Sequence, residues 1–233
     1  MNPKVLSVQI GIVQSYGNKN LKEFQTKFWE TAGFKQPIET PVYITKNGIM
    51  GDEVADKKHH GGVDKAVFAN SYENYPLWAQ YLNQENLPFG ALFENLTLSK
   101  LHEKNVCLGD VHLVGNVILK VSQPRKPCWK ISQRWLDKGF TKEIFNSNLS
   151  GWYYSVIQEG ILQEGDNIEV VQKGLHQISL FEANEAYKNP LEHKALLEKI
   201  LNIPYLAESY HESIKKRLRG EADFGYMEIN TNE

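Results

Sequence analysis

Two cysteines in 233 residues leave little scope for architecture built on cysteine. Cys107 and Cys128 can form at most one disulfide, and a reducing compartment argues against that bond. The same count excludes a structural zinc site made of thiolates. Long apolar runs are also missing: nothing approaches the roughly 20 residues that span a bilayer, and Met1-Asn2-Pro3-Lys4-Val5 lacks the apolar core of a signal peptide. A cytoplasmic protein without membrane contact is therefore expected. A formal net charge of -2 gives no general pull toward nucleic acid, so no nucleic-acid partner is expected and any anion binding must be local. There is no Gly-x-Gly-x-x-Gly fingerprint for a nicotinamide or flavin, and no His-x-x-x-His helical spacing for a hydrolytic metal.

What the chain does have is an ordinary globular balance, 41% hydrophobic and 23% charged, with a length that suits one large domain or a domain with a small appendage. Alternating or apolar stretches at residues 5–13, 41–45, 66–69, 92–98, 111–114, 117–121, 152–158 and 167–171 read as strands. Asn47-Gly48, Gly115-Asn116 and Gly165-Asp166 mark turns between them. One helix is predicted from a Ser71 cap to about Asn83, with Tyr75, Trp78 and Leu82 on its apolar face. Residues 18–36 read as loop. Many short strands and few helices point to a mainly β fold, a barrel or sandwich, over residues 1–173. After Lys173 the pattern changes to three short helices, over residues 174–233 with a short tail. Their signals are the Ser179-Leu180-Phe181-Glu182 capping box, Asn189-Pro190 as cap and first residue, and a basic last turn at Lys215-Lys216-Arg217 closed by Gly220.

The chemistry is expected around Gln123-Pro124-Arg125-Lys126-Pro127-Cys128-Trp129. A thiol is mostly protonated at neutral pH, but nearby cations and a helix N-terminus favour the thiolate that ligates metals and attacks electrophiles. Arg125, Lys126 and Lys130 supply charge, and residues 129–136 read as a short helix closed by Gly139. Two prolines stiffen the turn. A buried thiol without chemistry is the competing reading.

A second polar cluster runs from Gly51-Asp52 to His59-His60-Gly61-Gly62-Val63-Asp64-Lys65. Asp52, Asp56, His59 and His60 could ligate a divalent metal, although adjacent histidines usually diverge. Alternatively Lys57, Lys58, His59, His60 and Lys65 surround open glycine amides at Gly61 and Gly62, a combination suited to phosphate. A solvated charged loop is the third reading.

Together with Glu94-Asn95-Leu96-Thr97 and Leu108-Gly109-Asp110, these two stretches resemble the ordered signature of the MOSC domain family, named for the C-terminal domain of molybdenum cofactor sulfurases. The helical tail resembles the extension of its YiiM-like bacterial branch. The resemblance implies a β-barrel-like MOSC domain that binds the molybdenum cofactor, with Cys128 as thiolate ligand to molybdenum. It assigns Arg125 to a phosphate or pterin oxygen, Lys65 and His60 to the same role or to the metal's oxo groups, Asn95 to a heterocycle edge, and Gly61 and Gly62 to the cofactor cradle. His59, His60 or Asp52 would carry protons. The activity implied is reduction of N-hydroxylated compounds, such as hydroxylaminopurines, to amines, with electrons from a separate reductase. The alternative is a cofactor or sulfur carrier without turnover; no pyridoxal phosphate domain is expected. A homodimer is expected from symmetry base rates. One position departs from the family pattern: Phe93 stands where glycine usually precedes Glu-Asn, which would narrow or reshape the pocket.

Overall fold

The computed structural model describes residues 2–221 and 224–227; the short tail expected beyond Met227 lies outside them. In chain order the strands are β1 (Lys4–Ile10), β2 (Gln14–Tyr16), β3 (Trp29–Thr31), β4 (Gln36–Pro37), β5 (Val42–Thr45), β6 (Gly48–Ile49), β7 (Val67–Ser71), β8 (Leu96–Ser99), β9 (Val111–Val114), β10 (Val117–Pro124), β11 (Trp152–Gln158), β12 (Gly160–Leu162) and β13 (Ile168–Gln172). Helices α1 (Lys57–His60), α2 (Tyr75–Tyr81), α3 (Lys130–Trp135), α4 (Phe140–Ser147), α5 (Leu180–Lys188), α6 (Lys194–Leu201) and α7 (Glu208–Leu218) fill the connections and the C-terminal part.

Eight strands form one mixed sheet in the order β13-β9-β10-β11-β7-β8-β1-β4, in which only β7 and β8 run parallel. It curls into a half-barrel. The bend brings β1 back to the approach of β13: Lys4 bridges Asn167, and Val5 N–H donates to the Asp166 carbonyl at 3.0 Å. Part of an otherwise open edge is thereby paired. β12, β5 and β6 make a smaller sheet, and β2 with β3 a separate hairpin. Val117, Leu119 and Val121 alternate inward along β10, as the pattern predicts. Their apolar cluster continues without a break into Leu180, Leu197, Ile200, Tyr210 and Ile214 of the C-terminal helices.

Local signals are mostly obeyed. Val114 pairs with Val117 across the predicted Gly115-Asn116 turn, where Gly115 has φ 58°. Ser179 and Glu182 form the reciprocal capping box of α5. Several boundaries differ for identifiable reasons. Ser71 leads into a 3₁₀ turn at Tyr72–Asn74, so α2 begins at Tyr75 with Pro76 in its first turn, and left-handed Asn83 lies just past its end. Leu136, with φ 53°, ends α3 where Gly139 was expected; Gly139 instead opens α4, which the sequence reading missed. Asn189 is still the C-cap of α5, which delays α6 to Lys194. Residues 92–95 are a turn rather than strand, because buried Glu94 gathers the N–H groups of Gly90 at 3.0 Å and Leu92 at 2.9 Å and the hydroxyls of Thr97 and Tyr75. Residues 18–36, read as loop, contain β3 and deliver Lys35 to the interior.

Candidate functional site

A cavity of about 120 Å³ opens to solvent beside the polar cluster and the cysteine turn. The turn that carries Cys128 is held through its backbone. Arg125 N–H donates to the Gly151 carbonyl at 3.0 Å, Ser150 Oγ to the Arg125 carbonyl at 2.7 Å, and Thr141 Oγ1 to the Cys128 carbonyl at 3.2 Å. Ile131 N–H closes the first turn of α3 onto the same Cys128 carbonyl at 3.1 Å. Cys128 thus sits just ahead of the helix, 9% exposed.

Burial pushes the Cys128 thiol up, as for any desolvated acid, but a hydrogen bond from His60, the charges of His60 and Arg125, and the Lys130 backbone N–H outweigh it and bring the thiol down to about 6. Two of the cations expected to act here do not. Lys126 points away, toward α5 and α7, and the Lys130 ammonium bonds the Glu30 carbonyl at 2.8 Å. The group that acts most strongly on the thiol, His60, is 68 residues away in sequence.

Cys128, His60, Gly61, Lys65, Asn95 and Arg125 all line the cavity; His59 and Gly62 do not. The histidines diverge because Asp56 caps α1 through His59 N–H at 3.1 Å and pairs with the His59 ring at 2.8 Å, turning that ring out to 65% exposure. Gly62, with φ 97°, makes the turn into Val63–Lys65. Lys65 Nζ donates to the His59 carbonyl at 2.6 Å, and burial, then the charge of Lys126, hold its ammonium below its usual range. Asn95 is committed to the protein: its Nδ2 donates to the Gln9 carbonyl at 3.2 Å and Asp52 Oδ2 at 2.8 Å, while Oδ1 accepts from Phe68 N–H at 3.1 Å. Asp52 also accepts from Gly11 N–H at 2.8 Å and from the buried ammonium of Lys35. Burial lowers the pKa of Lys35, with Asp52 opposing.

Lys35, Tyr153 and Phe68 line the cavity and were not singled out from the sequence. Arg125, 4% exposed, lies with its guanidinium 4.9 Å from the Phe68 ring centroid and next to Tyr153, whose pKa is raised first by burial. Phe93 is held at φ 76°, a region L-residues enter at a cost. Its ring occupies the space a side chain at Gly33 would need, with a Cβ there only 2.3 Å from Phe93 Cδ1. The Phe93 side chain at this departure from the family pattern is accommodated because its ring packs directly against Gly33, which has no side chain.

Nη1 of Arg125 is buried and has no hydrogen-bond partner. An orphaned guanidinium nitrogen at a cavity that also holds Lys35, Lys65 and His60 calls for an anionic oxygen. A thiolate-favouring cysteine in the same wall suits a soft metal. The residues therefore fit a group that carries both an anion and a thiophilic metal. Among the described residues no three His, Cys, Asp or Glu side chains gather to hold a metal ion by themselves, which disfavours the divalent-metal reading of Asp52, Asp56, His59 and His60.

Half-barrel, cysteine turn and cationic cavity together are the features by which the chain is compared with known proteins. The comparisons give the family. The family model of the MOSC domain matches residues 56–169. YflK of Bacillus subtilis (strain 168) is 34% identical over 215 residues, covering 91% of this chain and 93% of its own. YiiM of Escherichia coli (strain K12) is 31% identical over 186 residues, covering 78% and 82%. A protein named "Reductase" from Gibberella moniliformis is 30% identical over 196 residues, which is 81% of this chain but only 34% of that longer one. The crystal structure of YiiM from Geobacillus stearothermophilus superposes with a TM-score of 0.76 at 28% identity, covering 93% of this chain and 99% of the other. The chain belongs to the MOSC domain family, whose members are associated with molybdenum cofactor binding. Among the described residues no helix is long and apolar enough to cross a membrane.

Proposed function

We propose that this protein is a molybdenum-cofactor-dependent reductase of N-hydroxylated compounds. The observation that carries the reading is the pairing, in one cavity, of a thiol brought down to about 6 with an orphaned, buried Arg125 nitrogen. Cys128 would ligate molybdenum, and Arg125 and Lys65 would hold the pterin phosphate and oxygens. When bound, the group supplies the two-electron redox chemistry. The overall change is R–NHOH plus two electrons and two protons to R–NH₂ plus water, which breaks one N–O bond and forms one N–H and one O–H bond. The electrons come from a separate reductase protein, since no nicotinamide or flavin fingerprint is present. His60 faces the cavity beside Sγ and is the residue suited to deliver a proton there. His59 points to solvent and can only exchange protons with bulk water. The Gibberella relative that bears the name "Reductase" supports the enzymatic reading over the carrier.

Protein from a molybdenum-replete host should carry about one molybdenum and one pterin per chain, as single-thiolate ligation requires. With an artificial donor it should reduce hydroxylaminopurine, and Cys128→Ser should abolish this. Protein lacking pterin despite an intact Cys128 would sink the cofactor assignment. Loaded protein that turns over no N-hydroxylated substrate would make it a carrier.

A further inference from the structure

The C-terminal helices touch the cysteine turn at more than one point. Two residues before Cys128, the Lys126 ammonium donates to Tyr187 Oη of α5 at 3.1 Å and to Ser213 Oγ of α7, and lies 4.5 Å from the Tyr187 ring centroid. Tyr187 and Ser213 are themselves bonded at 2.9 Å. No carboxylate pairs with Lys126 among the described residues, so directional hydroxyl contacts hold this half-buried cation in place. One residue after Cys128, Trp129 N–H donates to the Tyr226 carbonyl at 3.0 Å.

These contacts form one circuit. Arg217 of α7 donates to the Tyr187 and Lys188 carbonyls at 2.7 and 2.6 Å, and its guanidinium lies 4.6 Å from the Phe224 ring centroid. Phe224 packs edge-on against Phe145 of α4 at 5.7 Å, and α4 supplies the Thr141 hydroxyl that bonds the Cys128 carbonyl. The turn is therefore gripped before, at and after the cysteine by elements that all lie C-terminal to it.

We propose that the helical extension is a clamp that sets the position of Cys128, with Tyr187, Ser213 and Phe224 as positioning residues. The grip on the turn stands on geometry alone; its value for holding molybdenum rests on the reading of Cys128 given above. Stiffening of this kind is what a ligand needs, because a ligand fixed in advance loses little freedom on binding.

The test uses the full-length, cofactor-free protein and hydrogen exchange at the Trp129 amide. The Tyr187→Phe/Ser213→Ala pair releases Lys126, and Phe224→Ala loosens the Tyr226 segment. Each should speed exchange at Trp129 by about tenfold, the factor set by losing one or two modest hydrogen bonds. Ser213→Thr, which keeps the hydroxyl, should exchange like the parent. Tyr205→Phe is the control: its hydroxyl accepts from Leu175 N–H at 2.8 Å in the same extension without touching the turn, and Trp129 should not respond. Unchanged exchange in both clamp variants, or an equal response in the control, would overturn the clamp. Loss of pterin retention in the clamp variants, with melting temperature preserved, should follow if Cys128 is the ligand. Protein that never takes up pterin would defeat the cofactor reading while the exchange result still decides the clamp.

Discussion

Gly33 and Phe93 should be energetically coupled, and the size of the coupling follows from the structure. A methyl group at Gly33 would stand 2.3 Å from Phe93 Cδ1 and 2.5 Å from Cε1, far inside contact distance. The Phe93 ring is 9% exposed and lies 5.4 Å from the Arg134 guanidinium, so it cannot swing aside freely. Overpacking of this kind costs about 1–3 kcal/mol, and Gly33→Ala should destabilise by about 2 kcal/mol. In a Phe93→Gly background the obstacle is gone and the same change should cost near nothing, a coupling of about 2 kcal/mol by double-mutant cycle. Phe93→Gly itself loses a buried ring, roughly 3–5 kcal/mol by analogy with Phe→Ala, and recovers about 1–2 kcal/mol by relieving φ 76°. It should therefore be more stable than Phe93→Ala by about 1 kcal/mol, the reverse of the usual order. Urea unfolding of the five proteins measures all these terms. Equal penalties for Gly33→Ala in both backgrounds, or Phe93→Ala at least as stable as Phe93→Gly, would refute the packing described.

His112 is buried, bonds the Tyr154 hydroxyl at 2.7 Å and is brought down to about 4, chiefly by burial. Between that value and the ordinary 6.5 the unfolded chain binds a proton the folded one does not, so about 3 kcal/mol of stability present above pH 6.5 should be lost as pH falls toward 4. His112→Gln should flatten this part of the urea-midpoint profile; a profile unchanged by the substitution would contradict the assignment. Lys35→Met breaks the buried pair with Asp52 and should cost about 3 kcal/mol, read from the same unfolding curves. A change under about 0.5 kcal/mol, the range of ordinary surface substitutions, would mean that the pair is not desolvated as described.

Much of the fold was legible because its signals are short-range. Inward alternation along β10, the Gly115-Asn116 hairpin and the Ser179–Glu182 capping box depend on residues within a turn or two of one another. Where local signals compete, the pattern misplaces element boundaries. Glu94 gathers nearby donors and converts an apolar run into a turn, and Asn189 caps one helix before the next can begin. The candidate site was legible only as a set of motifs: Cys128, His60, Gly61, Lys65, Asn95 and Arg125 converge on one cavity, whereas His59 and Gly62 stay outside it.

What the residues alone determined was therefore the strand-rich class, the helical extension and the family to which the motifs belong. Only the tertiary structure decided which groups act on which. It brings His60 rather than Lys126 to the thiol, turns His59 outward against Asp56, occupies the amide of Asn95, and draws Lys35 out of a stretch that reads as loop. It also lays the extension against the cysteine turn. Apart from the local Asp56–His59 pair, these contacts join residues 17 or more positions apart, and their partners are chosen by the curl of the sheet and the packing of the helices on it. Periodicity and turn chemistry carry no information at that range.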